Sequence, residues 1–375
     1  MVREVPLWFL AATLAPSLLT ALAAAYVMRR VAPRWGLIDK PAARKVHLTP
    51  TPLGGGVAIW LGVVLPLAIG QGLLWLVAAG VVSPEWLPAE ARPHLAGLLS
   101  QAPRLWILLA AGTVLMVLGL LDDRWGLGWK VRLAVQFGVA AGCVTLQDWR
   151  LTAFISLPPL TWLLSVLWIV ALINSFNMLD NMDALSAGIA AIAAGLLATV
   201  LLLNPAPDTR HPQLFVGGFL LVLVGGLLGF LWHNRPVAKL FMGDAGSYFV
   251  GFCVAICTLQ ATFTSYDSTS QYTVFAPLCV LAVPLYDLTT VLWIRVREGR
   301  SPFQADKSHF SHRLVELGLT KGQAVLTIYL TTATCGLGAL LLYQVDAVGA
   351  GIVLLMILCV LSLIAILETT GRRSR

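Results

Sequence analysis

Six aspartates stand at or inside the ends of apolar segments in a chain that is otherwise dominated by hydrophobic residues. They are Asp122, Asp123, Asp180, Asp183, Asp244 and Asp287. Ionised carboxylates are costly near hydrocarbon, so a cluster of them at one membrane face indicates a functional site. Carboxylate oxygens also suit hard cations, and Mg²⁺ typically takes one or two of them together with phosphate oxygens. The pattern therefore predicts a polar pocket that demands a cation.

Asp122 and Asp123 form an adjacent pair at the end of the third apolar segment. Two neighbouring carboxylates repel each other unless a cation or a proton relieves them, which favours a metal ligand beside a base or nucleophile. Successive helical residues project about 100° apart, so one carboxylate could face a pocket while the other supports it. The alternative is a solvated helix end in which Trp125 anchors the membrane interface.

A polar run follows the fifth apolar segment and contains Asn174, Asn177, Asp180 and Asp183. At three-residue spacing these side chains can share one helical face or line one turn. The run contains no Lys or Arg, although a loop that only sets topology normally carries them. Its composition therefore favours a functional role.

Asp244 is flanked by Gly243 and Gly246 just before the eighth apolar segment. Glycines permit close approach of the backbone to a ligand. We predict that Asp244 is the metal ligand, with Asp180 as a further candidate. The alternative is an ordinary carboxylate at a helix N-cap.

A later polar segment holds His309, His312 and Arg313, which could present three donors to a diphosphate. The two histidines are three residues apart and share a helical face. Asp287 lies inside the ninth apolar segment, where an unpaired charge is costly, so it must face the bundle interior. It either supports a basic partner or takes part in catalysis.

Three glycines at 54–56 open the second apolar segment after a basic loop. At the positive end of a helix they could offer backbone N–H groups to a phosphate. The alternative is a topology-setting loop that ends in turn residues.

These residues must be positioned by membrane helices, because the 375-residue chain is 58% apolar and only 11% charged. We predict an all-α polytopic membrane protein that forms a single domain over residues 1–375. Its site would be built from loops 29–53, 122–130, 174–185, 233–247 and 294–322. Windows of about 20 residues predict eleven spans, at 6–28, 54–79, 105–121, 131–147, 160–176, 186–203, 214–232, 248–263, 272–293, 323–342 and 347–367.

The basic residues predict the orientation of these spans. Twenty Lys and Arg fall in one set of alternate loops and the C-terminal tail, against five on the other side. The positive-inside rule then places the N-terminus outside and the C-terminus in the cytoplasm, so the acids lie at the cytoplasmic face. We attribute the net charge of +7 to this topology and to anionic lipids or substrates, and not to nucleic acid. The six cysteines fall in apolar segments and are interpreted as small hydrophobic residues.

Taken in order, these segments resemble the polyprenyl-phosphate N-acetylhexosamine-1-phosphate transferase family, which joins a sugar phosphate from a UDP-sugar to a membrane lipid phosphate. The resemblance covers nearly the whole chain. The matching stretches are residues 36–56, the Asp122-Asp123-Arg-Trp-Gly-Leu turn, 174–188, the Phe241-Met-Gly-Asp-Ala-Gly-Ser247 run and 301–314.

The resemblance implies roles for individual residues. Asp122 matches the proposed nucleophile or general base, with Asp123 beside it, and Asp244 matches the Mg²⁺ ligand. His309, His312 and Arg313 match a histidine motif that contacts the sugar or diphosphate, and Phe241 matches an aromatic residue that stacks on uracil. The residues predicted to bind substrate are Lys130, Asn177, Asp180, Asp183, Phe241 and Asp306.

The chain departs from the family pattern at two places: Asn181 and Ala184 stand where glycine is frequent, and Ser311 stands where several members have a third histidine. The His309-x-x-His312-Arg313 pattern looks more like the GlcNAc-1-phosphate branch than the phospho-MurNAc-pentapeptide branch, which stays an alternative.

The resemblance further implies UDP-GlcNAc and undecaprenyl phosphate as substrates and Mg²⁺, or Mn²⁺, as cofactor. It implies a bacterial inner-membrane location with the site facing the cytoplasm, and it is compatible with a homodimer. A cation-coupled transporter is a rival interpretation, although its acids would lie near the bilayer midplane. An intramembrane aspartyl protease is another, but the order of Tyr286-Asp287 and Gly243-Asp244 is reversed.

Overall fold

The computed structural model describes residues 5–39, 50–151, 154–205, 212–264, 270–303 and 308–373, and most of them are helical. Asp306, predicted to bind substrate, lies outside the described residues. The α-helices are α1 (Leu7–Val31), α2 (Gly55–Ala78), α3 (Leu95–Ser100), α4 (Ala102–Trp125), α5 (Trp129–Gln147), α6 (Pro158–Leu179), α7 (Leu185–Leu203), α8 (Leu214–Asn234), α9 (Gly243–Gln260), α10 (Ala276–Val280), α11 (Ala282–Arg297), α12 (Phe310–Glu316), α13 (Lys321–Leu341) and α14 (Ala347–Arg373).

The prediction of an all-α membrane protein is confirmed, since eight of the described helices are long and apolar enough to cross a membrane. A ninth span arises if α10 and α11, which meet at a 66° bend, are counted as one. Helices α5 and α9 coincide with predicted spans but do not meet the same test of length and apolarity. The predicted count of eleven and the predicted orientation stay predictions.

Three helices extend beyond the predicted spans at the polar end of the bundle. Helix α4 continues through Asp122 and Asp123, α6 continues through Asn177, and α9 already begins at Gly243. Tertiary hydrogen bonds satisfy these polar side chains, so the helix does not stop where the apolar run stops. The functional side chains therefore lie on helix ends and not on free loops.

Helix α9 lies at the centre of the bundle, and nearly every residue from its first turn to Thr258 is buried. Helices α2 and α4 approach its first turn through glycines. A Cβ atom at Gly119 would lie 2.3 Å from the Asp244 carbonyl carbon, and one at Gly56 would lie 2.1 Å from the Gly246 nitrogen. This backbone contact places Asp244 at the junction of the three helices.

A short antiparallel pair, β1 (Ile38–Asp39) and β2 (Thr51–Pro52), connects the first polar loop to the site. The segment after β2 pairs with Phe241, whose backbone N–H donates to the Pro52 carbonyl at 2.9 Å. Phe241 is thereby held between β2 and α9.

Candidate active site

Asp123 binds the first turn of α9. Its Oδ1 accepts the backbone N–H of Asp244 at 2.9 Å, and its Oδ2 accepts that of Ala245 at 3.2 Å. A carboxylate at this position satisfies two donors that a helix leaves unpaired and interacts favourably with the helix dipole. Asp123 therefore acts on α9 as a capping carboxylate supplied by α4.

Two further carboxylates hold the backbone that leads into α9. Asp180 Oδ2 accepts the N–H of Gly243 at 3.1 Å, and Asp183 Oδ2 accepts the N–H of Ala238 at 3.0 Å. Asn234 links the turn after α6 to the segment before α9, because its side chain accepts the N–H of Ala184 and donates to the Leu240 carbonyl. The polar run after α6 thus fixes residues 238–243.

Asp122 is 7% exposed and both of its oxygens are engaged. Oδ1 accepts the backbone N–H of Leu127 at 2.7 Å. Oδ2 accepts from Arg132 Nη1 at 2.8 Å and from the Tyr248 hydroxyl at 3.2 Å. The carboxylate is therefore held in one orientation beside a permanent positive charge.

Arg132 connects Asp122 to Asp244. The same Nη1 lies 3.8 Å from Asp244 Oδ2, beyond hydrogen-bond distance. The other oxygen of Asp244 accepts from Asn177 Nδ2 at 2.5 Å, and Asn177 also donates to Ser247. Asp122 and Asp244, which lie on separate segments of the sequence, converge around one guanidinium group.

Asp180 is buried close to two other carboxylates, and this raises its pKa. Burial, followed by the negative charge of Asp123 and that of Asp183, raises the pKa of Asp180 to about 7, and the hydrogen bond from Gly243 opposes the rise. Crowded carboxylates of this kind favour a proton or a cation.

The histidine segment begins with a buried pair. Asp287 is fully buried on α11, and its Oδ2 lies 3.0 Å from His309 Nδ1 while its Oδ1 accepts the N–H of Phe310 at 2.6 Å. Asp287 therefore faces the bundle interior, as expected, and supports a basic partner. Ser311 donates to Asn181 Oδ1 at 2.6 Å, which joins α12 to the acidic turn after α6.

Two predicted substrate contacts lie elsewhere. Arg313 is only 4% exposed, and its Nε lies 3.0 Å from Glu368 Oε2, so its charge is directed to α14 and not to an open pocket. The Lys130 ammonium is exposed and lies 5.7 Å from the centre of the Trp129 ring. Arg132, two residues later, stands between the acids instead.

Two of the three glycines at 54–56, Gly55 and Gly56, do not present free donors to a phosphate. The N–H groups of Gly55 and Gly56 donate to the carbonyls of Phe241 and Met242, each at 2.9 Å. A Cβ atom at Gly55 would lie 2.2 Å from the Phe230 ring. The role of these two glycines is close packing of α2 against α8 and α9.

The donor set at Asp244 fits a hard cation. In the described part of the chain, no group of three or more His, Cys, Asp or Glu side chains could hold a metal alone. Mg²⁺ does not need such a cage, since it keeps water and substrate phosphate oxygens as ligands. The Asp244 side chain is 29% exposed, so one carboxylate remains accessible beside crowded negative charge.

Fold and site together define a multi-pass α-helical membrane protein that collects carboxylates and a buried Asp–His pair at helix ends. Residues 105–262 match glycosyl transferase family 4. A probable undecaprenyl-phosphate N-acetylglucosaminyl 1-phosphate transferase of Bacillus subtilis is 31% identical over 95% of this chain and 90% of its own length. A decaprenyl-phosphate N-acetylglucosaminephosphotransferase of Mycobacterium tuberculosis is 32% identical over 83% of this chain and 77% of its own. The chain belongs to the polyprenyl-phosphate N-acetylhexosamine-1-phosphate transferases of glycosyl transferase family 4, and the predicted resemblance is confirmed.

Sequence reasoning missed two residues of this site. Tyr248 stands four residues after Asp244, on the same face of α9, and that spacing was the available signal. Glu368 is an acid near the end of the last apolar segment and had no visible partner in the sequence.

Proposed function

We propose that this protein transfers GlcNAc-1-phosphate from UDP-GlcNAc to undecaprenyl phosphate, releasing UMP and initiating cell-envelope glycan synthesis. The names of the relatives from Bacillus subtilis and Mycobacterium tuberculosis support this sugar and a polyprenyl phosphate acceptor. The observation that carries the proposal is the convergence of Asp122 and Asp244 on Arg132. It combines a fixed carboxylate, an accessible carboxylate and a cation in one place, as phosphoryl transfer between two anions requires.

The reaction joins an oxygen of the lipid phosphate to the β-phosphorus of the UDP-sugar. The bond from that phosphorus to the bridging oxygen breaks, and its electron pair leaves with UMP. Asp122 either takes the proton of the lipid phosphate or attacks phosphorus itself, and both routes use its fixed orientation. Arg132 neutralises charge between the two anionic substrates.

Asp244 would hold Mg²⁺, with Asp180 as a further ligand. The bound ion would supply neutralisation of the diphosphate and of the leaving UMP. The capping contacts of Asp123 fix the backbone of Asp244, so the ligand is presented by a rigid helix end. Asn177 orients the same carboxylate through its hydrogen bond.

Connectivity supports eleven spans. Asp123 on α4 and Asp180 after α6 both bind the start of α9, so α4 and α6 end at the same side of the bundle. The intervening α5 must then cross back. Helix α9 must likewise carry the chain away, because the segment after α11 returns to the acidic turn through Ser311. Together with the twenty basic residues predicted at this side, the arrangement supports a cytoplasmic site and an external N-terminus.

The test uses purified protein, Mg²⁺, undecaprenyl phosphate and a panel of UDP-sugars, with UMP release and lipid product measured together. We expect UMP and lipid-linked product in equal amounts with UDP-GlcNAc. Product only with UDP-MurNAc-pentapeptide would replace the proposal by that alternative branch. Ion uptake into vesicles without UMP would favour a transporter.

A further inference from the structure

Helix α14 contributes one buried acid to the histidine segment. Most of its large apolar residues are exposed on the bundle surface, as expected for a helix that faces lipid. Glu368, near the end of the helix, is a charged residue that is buried, at 6% exposure. An acid on a membrane-spanning helix is costly unless it is paired in the bundle interior.

Two side chains converge on one oxygen of Glu368. Arg313 Nε lies 3.0 Å from Oε2 in an ion pair, and the Tyr286 hydroxyl donates to the same Oε2 at 2.8 Å. Tyr286 also packs edge-on against the ring of Phe310 with 5.5 Å between centres. The carboxylate of α14 thus holds groups on α11 and α12 together.

Arg313 passes this constraint to the histidines. Its guanidinium donates to the Ser308 carbonyl and to the Thr290 hydroxyl, the latter at 3.1 Å. Ser308 immediately precedes His309, the partner of Asp287. Helix α12 has only seven residues, too few to be stable without tertiary contacts.

We propose that Glu368 is a positioning residue for transfer: through Arg313 and Tyr286 it holds α12 so that His309 and His312 face the substrates. The proposal rests on the proposed function for the role of the histidines. On this proposal the end of α14 contributes to the active site, although Glu368 is far from the aspartates in the sequence.

The test compares Glu368→Gln with Asp148→Asn. Asp148 is a matched control because it also pairs with an arginine, Arg150, but is exposed and lies just after the last residue of α5. Hydrogen exchange in detergent is measured for residues 308–316, and for α4 and α9 as internal references. We expect exchange in 308–316 to rise about tenfold in Glu368→Gln alone, with the references unchanged.

Kinetics supply the second measurement. We expect Glu368→Gln to lower kcat for UMP release about tenfold or more while KM for undecaprenyl phosphate changes less than about threefold. The double variant with Arg313→Gln should be no slower than the slower single variant, because both residues act in one linkage.

Three results would overturn the inference: unchanged exchange in 308–316, faster exchange throughout α4 and α9, or wild-type kcat in Glu368→Gln. Failure of the proposed function is separately visible, since wild-type protein would then release no UMP while the exchange comparison still decides whether Glu368 holds α12.

Discussion

The variants Asp122→Asn and Asp123→Asn should differ in what they lose. Asp122→Asn should mainly lower turnover, and Asp123→Asn should mainly lower the unfolding temperature. Asp123 accepts two backbone N–H groups, from Asp244 and Ala245, through its two oxygens. An amide keeps one acceptor oxygen and turns an NH₂ group toward the other donor. One charge-assisted hydrogen bond is lost, which costs about 1.5–3 kcal/mol of folding free energy. The expected fall in unfolding temperature is about 3–8 °C.

Thiol-dye unfolding in detergent suits this measurement. Cys253 and Cys257 are buried on α9, the helix that Asp123 caps, and Cys143, Cys279 and Cys335 are buried elsewhere, so the dye reports exposure of the bundle interior on unfolding. Cys359 is exposed and would react before unfolding, so all variants carry Cys359→Ser. Asp122→Asn should shift the transition less, because its partner Arg132 is partly exposed and can be rehydrated.

Turnover is the second property in which the two variants should differ. We expect Asp122→Asn to lower turnover about a hundredfold or more, as the loss of a general base does, and Asp123→Asn to lower it less than about tenfold. An unchanged unfolding temperature in Asp123→Asn together with abolished turnover would refute the capping role. Equal losses of turnover in both variants would contradict the assignment of separate roles to Asp122 and Asp123.

Three further predictions concern the cation and the basic residues. Asp244→Asn should lower UMP release by orders of magnitude and abolish its dependence on Mg²⁺, measured by titration after chelation. Lys130→Ala should retain most turnover while Arg132→Ala loses at least about tenfold, because only Arg132 reaches both acids; equal effects in steady-state assays would contradict this. Asp180 has its pKa raised to about 7, so its ionisation destabilises the cation-free fold as pH rises from about 4 through 7. Mg²⁺ should therefore raise the unfolding temperature more at pH 8 than at pH 6, and the reverse order would exclude Asp180 as a ligand.

The positions of the helices could be predicted because a membrane span needs a long apolar run, and such runs are visible in a single sequence. The acids were visible for the same reason, since Asp180 or Asp287 stands out against apolar neighbours. The order of the motifs then supplied the family. None of these inferences required knowledge of which side chains touch.

The contacts themselves depend on packing between segments far apart in the chain. In the sequence, Lys130, Arg132 and Arg313 are three basic residues within or next to the predicted site segments, and nothing in the sequence distinguishes them. Arg132 lies beside Asp122 because α5 packs against α4. Arg313 is buried in an ion pair because α14 places Glu368 next to it. Gly55 and Gly56 at the start of α2 were ambiguous likewise, because the sequence does not show that their N–H groups are bonded to carbonyls in the fold.

The aspartates are distinguished by what their oxygens accept. Asp123, Asp180 and Asp183 accept backbone N–H groups from residues 238–245 and so fix that segment. Gathering three carboxylates around one backbone concentrates negative charge there, which only a cation or protons can offset. Asp244 projects from the fixed segment and remains partly exposed. The acids that bind backbone therefore create both the rigidity and the negative potential on which the proposed role of Asp244 as a cation ligand depends, and a search for metal-binding triads alone would overlook such a site.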